Sequence, residues 1–131
     1  MSNLDKLVLN DESIDDLQLK GLKLIQKKDA FRFGVDAVLL SDFSRVKSKH
    51  RVIDLCSGTG IIPFLLMGKY NPEEVVALEI QNDMADMAER SVKLNSLEDK
   101  IKVYNRDLKD IDFLKSIGRF DVLTVNPPYK I

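Results

Sequence analysis

The sequence contains no tryptophan, a single cysteine and a single histidine in 131 residues. One cysteine cannot form an internal disulfide, which excludes a disulfide-stapled scaffold and indicates a reducing, cytoplasmic location. No apolar run approaches the roughly 18 residues of a membrane span. The first residues also lack the basic-then-apolar pattern of a signal peptide. We therefore expect a cytoplasmic protein that does not enter a membrane.

An excess of charge of one sign is also lacking, because the net charge is only −1. Nucleic-acid-binding domains are usually basic, so a nucleic-acid partner would need a local basic patch or a further part of the protein. Two stretches rich in lysine and arginine, residues 18–32 and 45–51, are candidates for contacts with phosphate groups. Solvated loops and helix ends are the alternative interpretation of both stretches.

The length predicts one domain, which begins with a lead-in over residues 1–50. Residues 1–17 are expected to be loosely ordered. The stretch "LQLKGLKLIQ" alternates apolar and polar residues around Gly21, which suggests a small hairpin. The stretch "DAVLLSDFSRV" has the spacing of a helix, with Asp36 as its N-cap.

From Arg51 the pattern becomes regular, and residues 51–131 form the second part of the domain. Short apolar runs typical of strands alternate with segments typical of helices, one of which, "NDMADMAERSVKLN", is amphipathic and capped by Asn82. Four strands separated by three helices predict an α/β fold with about four parallel strands and helices on both faces. In such sheets ligands bind beyond the carboxyl ends of the strands.

The first strand of this part runs into "DLCSGTG", residues 54–60. Gly58 and Gly60 permit a tight turn and a close backbone approach to a ligand, and the next helix presents free N–H groups there. A strand-to-helix turn without a ligand is the alternative. No Gly-Lys-Ser/Thr follows, which excludes a Walker loop, and Pro63 occupies the place of the third glycine of a dinucleotide fingerprint.

Acidic residues follow the next two strands. Glu79 lies about 20 residues past Gly60, a spacing typical of a carboxylate that holds a ribose diol. A surface glutamate is the alternative. Asp107 is a candidate acceptor for the exocyclic amine of an adenine ring, and its alternative role is a helix N-cap, for which Asp110 competes.

The fourth strand runs into an Asn-Pro-Pro-Tyr motif, Asn126, Pro127, Pro128 and Tyr129. The prolines end the strand and fix the backbone beyond Asn126. The Asn126 side-chain carbonyl and a proline carbonyl can accept the two hydrogens of a planar amine, while Tyr129 stacks on the ring that carries it. An ordinary Asn-Pro turn is the alternative.

Residues 51–129 resemble a class I S-adenosylmethionine-dependent methyltransferase of the N-methylating, Asn-Pro-Pro-Tyr kind, which has a Rossmann-like fold. "DLCSGTG" resembles its cofactor loop, with Cys56 where many members have glycine, "LEI" its ribose acid, "RDL" its adenine-binding aspartate, and "NPPY" its clamp for the target amine. The resemblance implies S-adenosylmethionine as cofactor, S-adenosylhomocysteine as product and no metal. It assigns the cofactor to Asp54, Cys56, Gly58, Gly60, Glu79 and Asp107.

The lead-in "LKLIQKKDAFRFGVDAVLLSDF" resembles the bacterial tRNA adenine-N6 methyltransferases that modify an adenine next to the anticodon of a valine tRNA. The resemblance implies tRNA as the partner and Phe33 as a residue that covers the cofactor. Hydrophobic packing is the alternative for both Phe31 and Phe33. Such folds have seven strands, so the resemblance predicts that residues 51–131 are the N-terminal part of the methyltransferase domain, with the remainder absent and this chain inactive alone.

Three other functions remain open from the sequence. Release-factor glutamine methyltransferases share "NPPY" and methylate a side-chain amide, which the same clamp can hold. A nicotinamide-dependent oxidoreductase is disfavoured by Pro63 and by the two prolines of the clamp, and a non-catalytic cofactor-binding module is the third. His50, in a polar link, and Cys56, in the loop, are interpreted as non-catalytic. The sequence indicates no oligomeric state.

Overall fold

The computed structural model describes residues 7–28 and 35–125. The elements in chain order are β1 (Glu12–Asp16), β2 (Lys23–Lys27), α1 (Val35–Phe43), β3 (Arg51–Leu55), α2 (Ile61–Tyr70), β4 (Glu74–Leu78), α3 (Asn82–Leu94), β5 (Ile101–Tyr104), α4 (Ile111–Ser116) and β6 (Val122–Val125). The alternation of strand and helix predicted from Arg51 onward is confirmed.

The main sheet has four parallel strands in the order β5-β4-β3-β6. Right-handed crossovers place α2 and α3 on one face of this sheet and α4 on the other. The predicted α/β architecture is therefore confirmed, with β3 and β4 in the centre of the described sheet. Their carboxyl ends lie side by side, because Leu55 is the register partner of Leu78.

The principal hydrophobic core lies between this sheet and the α2–α3 layer. Val52 and Val75 of the central strands and Phe64 of α2 are completely buried there. Pro63 is also buried, and it is tolerated because the first-turn N–H groups of a helix have no partner within the helix. Within the described residues β6 is an edge strand, and Leu123 on it is 59% exposed.

The hairpin of the lead-in lies earlier in the chain than predicted. Strand β1 occupies part of the segment expected to be loosely ordered, and the expected hairpin segment supplies the turn and β2 instead. Contacts with α3 explain this placement. The Glu12 carboxylate is buried against the Arg90 guanidinium, and the Ile25 N–H donates to Ser91 Oγ at 2.9 Å.

Both predicted helix caps are wrong, although the helices themselves are confirmed. Asp36 lies inside α1, which begins at Val35, and Asn82 is the first residue of α3, preceded by Gln81 at the cap position. No helix in the described part of the chain is long and apolar enough to cross a membrane.

Candidate active site

The loop between β3 and α2 turns back tightly at the carboxyl end of the sheet. Cys56, Gly58 and Gly60 all have positive φ angles, of 58°, 58° and 98°. The Ser57 N–H donates to the Leu78 carbonyl of β4 at 3.0 Å, so the loop is fastened to the neighbouring strand. Cys56 adopts a left-handed conformation that costs a residue with a Cβ about 1–2 kcal/mol. The loop therefore keeps a backbone shape suited to glycine although cysteine occupies this position.

Gly60 is required by both its conformation and its neighbours. A Cβ at this position would lie 3.2 Å from the Phe64 ring, which is tighter than an ordinary contact. The absence of a side chain lets α2 start directly at the loop with its free N–H groups facing the carboxyl ends of the strands. The predicted tight turn with two glycines is therefore found at this end of the sheet.

Glu79 lies at the end of β4 and is tied to this loop. It is 7% exposed. Its Oε1 accepts the Gly58 N–H at 2.7 Å and its Oε2 accepts the Gln81 N–H at 2.8 Å. A carboxylate offers about four acceptor positions, so each oxygen keeps a lone pair for a further donor. Sequence spacing indicated the proximity to the loop, while the direct bond to Gly58 was not predicted.

Asp54 is the most deeply buried acid of the site, with 1% exposure. Its Oδ1 accepts from Thr124 Oγ1 on β6 at 2.7 Å, and its Oδ2 lies 2.7 Å from Ser57 Oγ. Burial raises the pKa of Asp54 to about 7; the hydrogen bonds from Thr124 and Ser57 oppose this, and the nearby Glu79 charge adds to it. Sequence reasoning missed both hydroxyl partners, because no local pattern shows which residue of β6 lies beside Asp54.

The end of β5 brings a third group to the same edge. Asn105 donates from Nδ2 to the main-chain oxygens of Glu79 and Ile80, at 2.9 and 3.0 Å, which joins the ends of β4 and β5. Asp110, not Asp107, caps α4, because its Oδ1 accepts the Phe113 N–H at 3.2 Å. Asp107 is exposed, and among the hydrogen bonds of the described residues its carboxylate accepts only the Lys109 N–H, at 2.9 Å, so the carboxylate retains capacity to accept from a ligand.

The single cysteine and histidine have surroundings that suit structural roles. Burial raises the pKa of the Cys56 thiol, with further contributions from the charges of Glu79 and Asp54, so the thiolate form is disfavoured. His50 Nδ1 accepts the Lys47 N–H at 3.0 Å within the link before β3. Across residues 7–28 and 35–125, no group of three or more His, Cys, Asp or Glu side chains could hold a metal ion.

The remaining predicted site residues, Phe33 and the motif Asn126, Pro127, Pro128 and Tyr129, lie outside the described residues, as does Phe31. Strand β6 ends at Val125, directly before Asn126 in sequence, and Val125 is the register partner of Leu55. The strand that leads into the motif thus ends beside the strand that leads into the glycine loop.

Comparison with known proteins gives one family and a consistent set of relatives. Residues 30–131 match the family model described as the methyltransferase small domain. The tRNA1(Val) (adenine(37)-N6)-methyltransferase of Bacteroides thetaiotaomicron is 34% identical over 113 residues, which are 86% of this chain and 46% of that protein. The protein of the same name from Phocaeicola vulgatus is 33% identical over 100 residues, 76% of this chain and 41% of that protein. The chain therefore spans about half the length of the curated relatives it matches.

Solved structures share the fold. The SAM-dependent methyltransferase from Agrobacterium tumefaciens aligns with a TM-score of 0.66 and 21% identity, over 92% of this chain and 41% of that one. An RNA methyltransferase from Salinibacter ruber, solved with S-adenosyl-L-homocysteine, aligns with a TM-score of 0.61 and 21% identity, over 73% of this chain and 60% of that one.

Proposed function

The chain belongs to the methyltransferase small domain family, and on that premise we propose that it uses S-adenosylmethionine to methylate the exocyclic amine of an adenine in tRNA. The observation that carries the proposal is the buried Glu79 carboxylate, bonded to the Gly58 N–H of the loop at 2.7 Å and still able to accept from two hydroxyls. The names of the relatives support tRNA as the substrate. A cytoplasmic location is part of the same proposal.

The described residues fit this cofactor in three places. Glu79 would accept from the ribose hydroxyls, and Asp107, free of a capping role, would accept from the adenine amine. The loop from Asp54 to Gly60, with its N–H groups and its lack of side chains at Gly58 and Gly60, would pass close to the amino-acid end. Phe33 would cover the bound cofactor.

The bound cofactor supplies an electrophilic methyl group on a sulfonium, which needs no metal for activation. The protein's part is orientation, which can supply much of the rate. Asn126 and the carbonyl of Pro127 or Pro128 would hold the two amine hydrogens, so that the nitrogen lone pair points at the methyl carbon. Tyr129 would stack on the target base and exclude water from it.

A second candidate function is methylation of a glutamine side chain in a protein, as in the release-factor methyltransferases. An amide and an adenine amine present the same planar NH2 group to Asn126, so the clamp alone does not distinguish a protein substrate from a tRNA substrate. The lead-in favours tRNA, because the match to the tRNA-modifying relatives covers 86% of this chain and so reaches well before the common core. A nicotinamide-dependent oxidoreductase is the third candidate and is disfavoured by Pro63, where its fingerprint requires glycine.

Calorimetry with S-adenosylhomocysteine and with NAD tests the cofactor directly. We expect the chain to bind S-adenosylhomocysteine in a one-to-one complex and to give no heat with NAD. Binding of NAD without S-adenosylhomocysteine would favour the oxidoreductase, and binding of neither would remove the cofactor site from the account.

The fold places Lys27 and Lys28 of the first basic stretch, and Lys47 and Lys49 of the second, at opposite ends of the sheet. Lys27 ends β2 and Lys28 follows it. The charge of Asp83, in the first turn of α3, contributes to the raised pKa of Lys27, so these lysines lie near the start of α3, at the end of the sheet that holds the site. Lys47 and Lys49 are exposed in the link before β3, at the opposite end. Lys27 is also paired with Asp11 at 2.7 Å, which partly cancels its charge.

Reversing Lys27 and Lys28 to glutamate should weaken tRNA binding by the intact protein more than reversing Lys47 and Lys49, although both double variants change the charge equally. Each lost phosphate contact should lower the slope of log affinity against log salt by about one. Filter binding over a salt series measures both quantities. Equal slopes in wild type and the Lys27→Glu, Lys28→Glu variant would mean that this stretch is a solvated face.

A further inference from the structure

Asp54 connects two strands and a loop through hydroxyl groups that sequence reasoning did not identify. Asp54 and Thr124 are register partners on β3 and β6, separated by 70 residues in the chain, and both are buried. Thr124 Oγ1 donates to Asp54 Oδ1 at 2.7 Å, while Ser57 in the loop lies 2.7 Å from Oδ2. One side chain thus contacts both the cofactor loop and the strand that leads into Asn126.

The hydrogen atoms of this cluster can be counted. Ser57 Oγ lies within bonding distance of two acceptors, Asp54 Oδ2 at 2.7 Å and the Asp54 main-chain oxygen at 2.9 Å, but a hydroxyl has only one proton to donate. When Asp54 is ionised, Ser57 donates to Oδ2 and leaves the main-chain oxygen. When Asp54 is neutral, it can donate from Oδ2 to Ser57, and Ser57 then donates to the main-chain oxygen.

Thr124 has a different position in this network. Its hydroxyl donates to Asp54 Oδ1 in both protonation states, and this hydrogen bond is stronger when the carboxylate is charged. Thr124 therefore favours the ionised form, against burial, which favours the neutral form. The titratable groups that face Asp54 are Glu79 at the end of β4, whose charge disfavours a second negative charge there, and the Cys56 thiol in the loop, whose own pKa is raised by burial and by both carboxylates. The first turn of α2 contains no acidic residue.

We propose that Thr124 is a positioning residue: its hydroxyl favours the ionised form of Asp54, holds that side chain in place beneath the cofactor loop and ties β6 to β3 at this point. The inference rests on the proposed function. The proposal also couples ligand binding to the protonation of Asp54, because ionised Asp54 stabilises a cationic ligand group at the loop. S-adenosylhomocysteine carries one such group, its ammonium, so binding should release a proton from Asp54.

The linkage has a defined sign. A group that titrates near pH 7 is about nine-tenths neutral at pH 6 and about nine-tenths ionised at pH 8. If the ionised form is the one that binds, affinity for S-adenosylhomocysteine should rise about tenfold from pH 6 to pH 8. The same complex should release close to one proton at pH 6 and almost none at pH 8.

Thr124→Val keeps the shape of the side chain and removes the hydroxyl, so it tests the bond directly. The pKa of Asp54 should rise, and the affinity at pH 7 should fall by about fivefold. Near pH 9 the variant and wild type should converge, because Asp54 is then ionised in both. Thr124→Ser restores a donor and should restore the wild-type pH profile. A merely structural loss would lower affinity by a similar factor at every pH.

Calorimetry of the full chain with S-adenosylhomocysteine at pH 6, 7, 8 and 9, in buffers of different ionisation enthalpy, measures affinity and proton release together. If Thr124→Val does not fold, Ser57→Ala removes the donor to the other carboxylate oxygen and should shift the profile in the same direction. A wild-type affinity that is independent of pH, or variants with the wild-type profile, would overturn the proposal. Failure of the wild type to bind at any pH would instead refute the proposed function on which it rests.

Discussion

Replacing Asn126 by alanine should lower the single-turnover rate of methyl transfer by about 100-fold or more while leaving the affinity for S-adenosylhomocysteine nearly unchanged. The reason is that the amine nitrogen gains positive character only in the transition state, where its hydrogens become better donors to the Asn126 carbonyl. Cofactor binding does not depend on this change in the amine, so its affinity should be nearly unaffected. Rapid-quench measurement on the intact protein with saturating cofactor separates the rate from the affinity.

Tyr129 provides a matched pair of controls for this prediction. Tyr129→Phe keeps the stacking ring and should cost little, whereas Tyr129→Ala removes it and should lower the rate strongly. Asn126→Asp keeps an acceptor oxygen and should recover part of the lost rate. An Asn126→Ala enzyme that turns over at the wild-type rate would remove the clamp from the mechanism.

Replacing Glu79 by alanine should weaken S-adenosylhomocysteine binding by about 1–3 kcal/mol, or roughly 5- to 150-fold, because it leaves the ribose hydroxyls without their acceptor in a partly closed site. Glu79 also holds the Gly58 and Gln81 N–H groups, so part of the loss would come from the loop. Glu98→Gln, which alters an exposed acid outside the site, is the control and should bind normally.

A double-mutant cycle separates these two contributions. Wild type and Glu79→Gln are each titrated with S-adenosylhomocysteine and with its 2′-deoxy analogue. If Glu79 contacts the diol, removing the hydroxyl should cost the wild type much more than the variant. Equal costs in both proteins would mean that Glu79 supports the loop and does not contact the ribose.

Much of the fold was predictable because its signals are local. The strand-helix alternation after Arg51 follows from short apolar runs and from the amphipathic spacing of α3, and neither depends on distant residues. Strand β1 was not predictable in this way. Its Glu12 is buried only because Arg90, 78 residues later, supplies the partner for the charge. In the local sequence, an acidic residue at that position predicts a solvated segment and gives no sign of its distant partner.

In the candidate site, too, the features with local signals were predictable and those that depend on distant contacts were not. The position of Glu79 beside the glycine loop follows from a spacing that the parallel sheet imposes, so it could be predicted. The choice between Asp107 and Asp110 as the cap of α4 depends on the exact start of the helix, which sequence patterns do not fix. The bond from Thr124 to Asp54 depends on the register between β3 and β6, which tertiary packing sets.

Methyl transfer from labelled S-adenosylmethionine to unmodified tRNA by the intact protein is the most direct test of the proposed function. After digestion to nucleosides, the account predicts that the label appears as N6-methyladenosine. It also predicts that the label accumulates at least about 100-fold more slowly with Asn126→Ala and at the wild-type rate with Glu98→Gln. Label recovered on a glutamine side chain of a protein substrate, with none in tRNA, would contradict it.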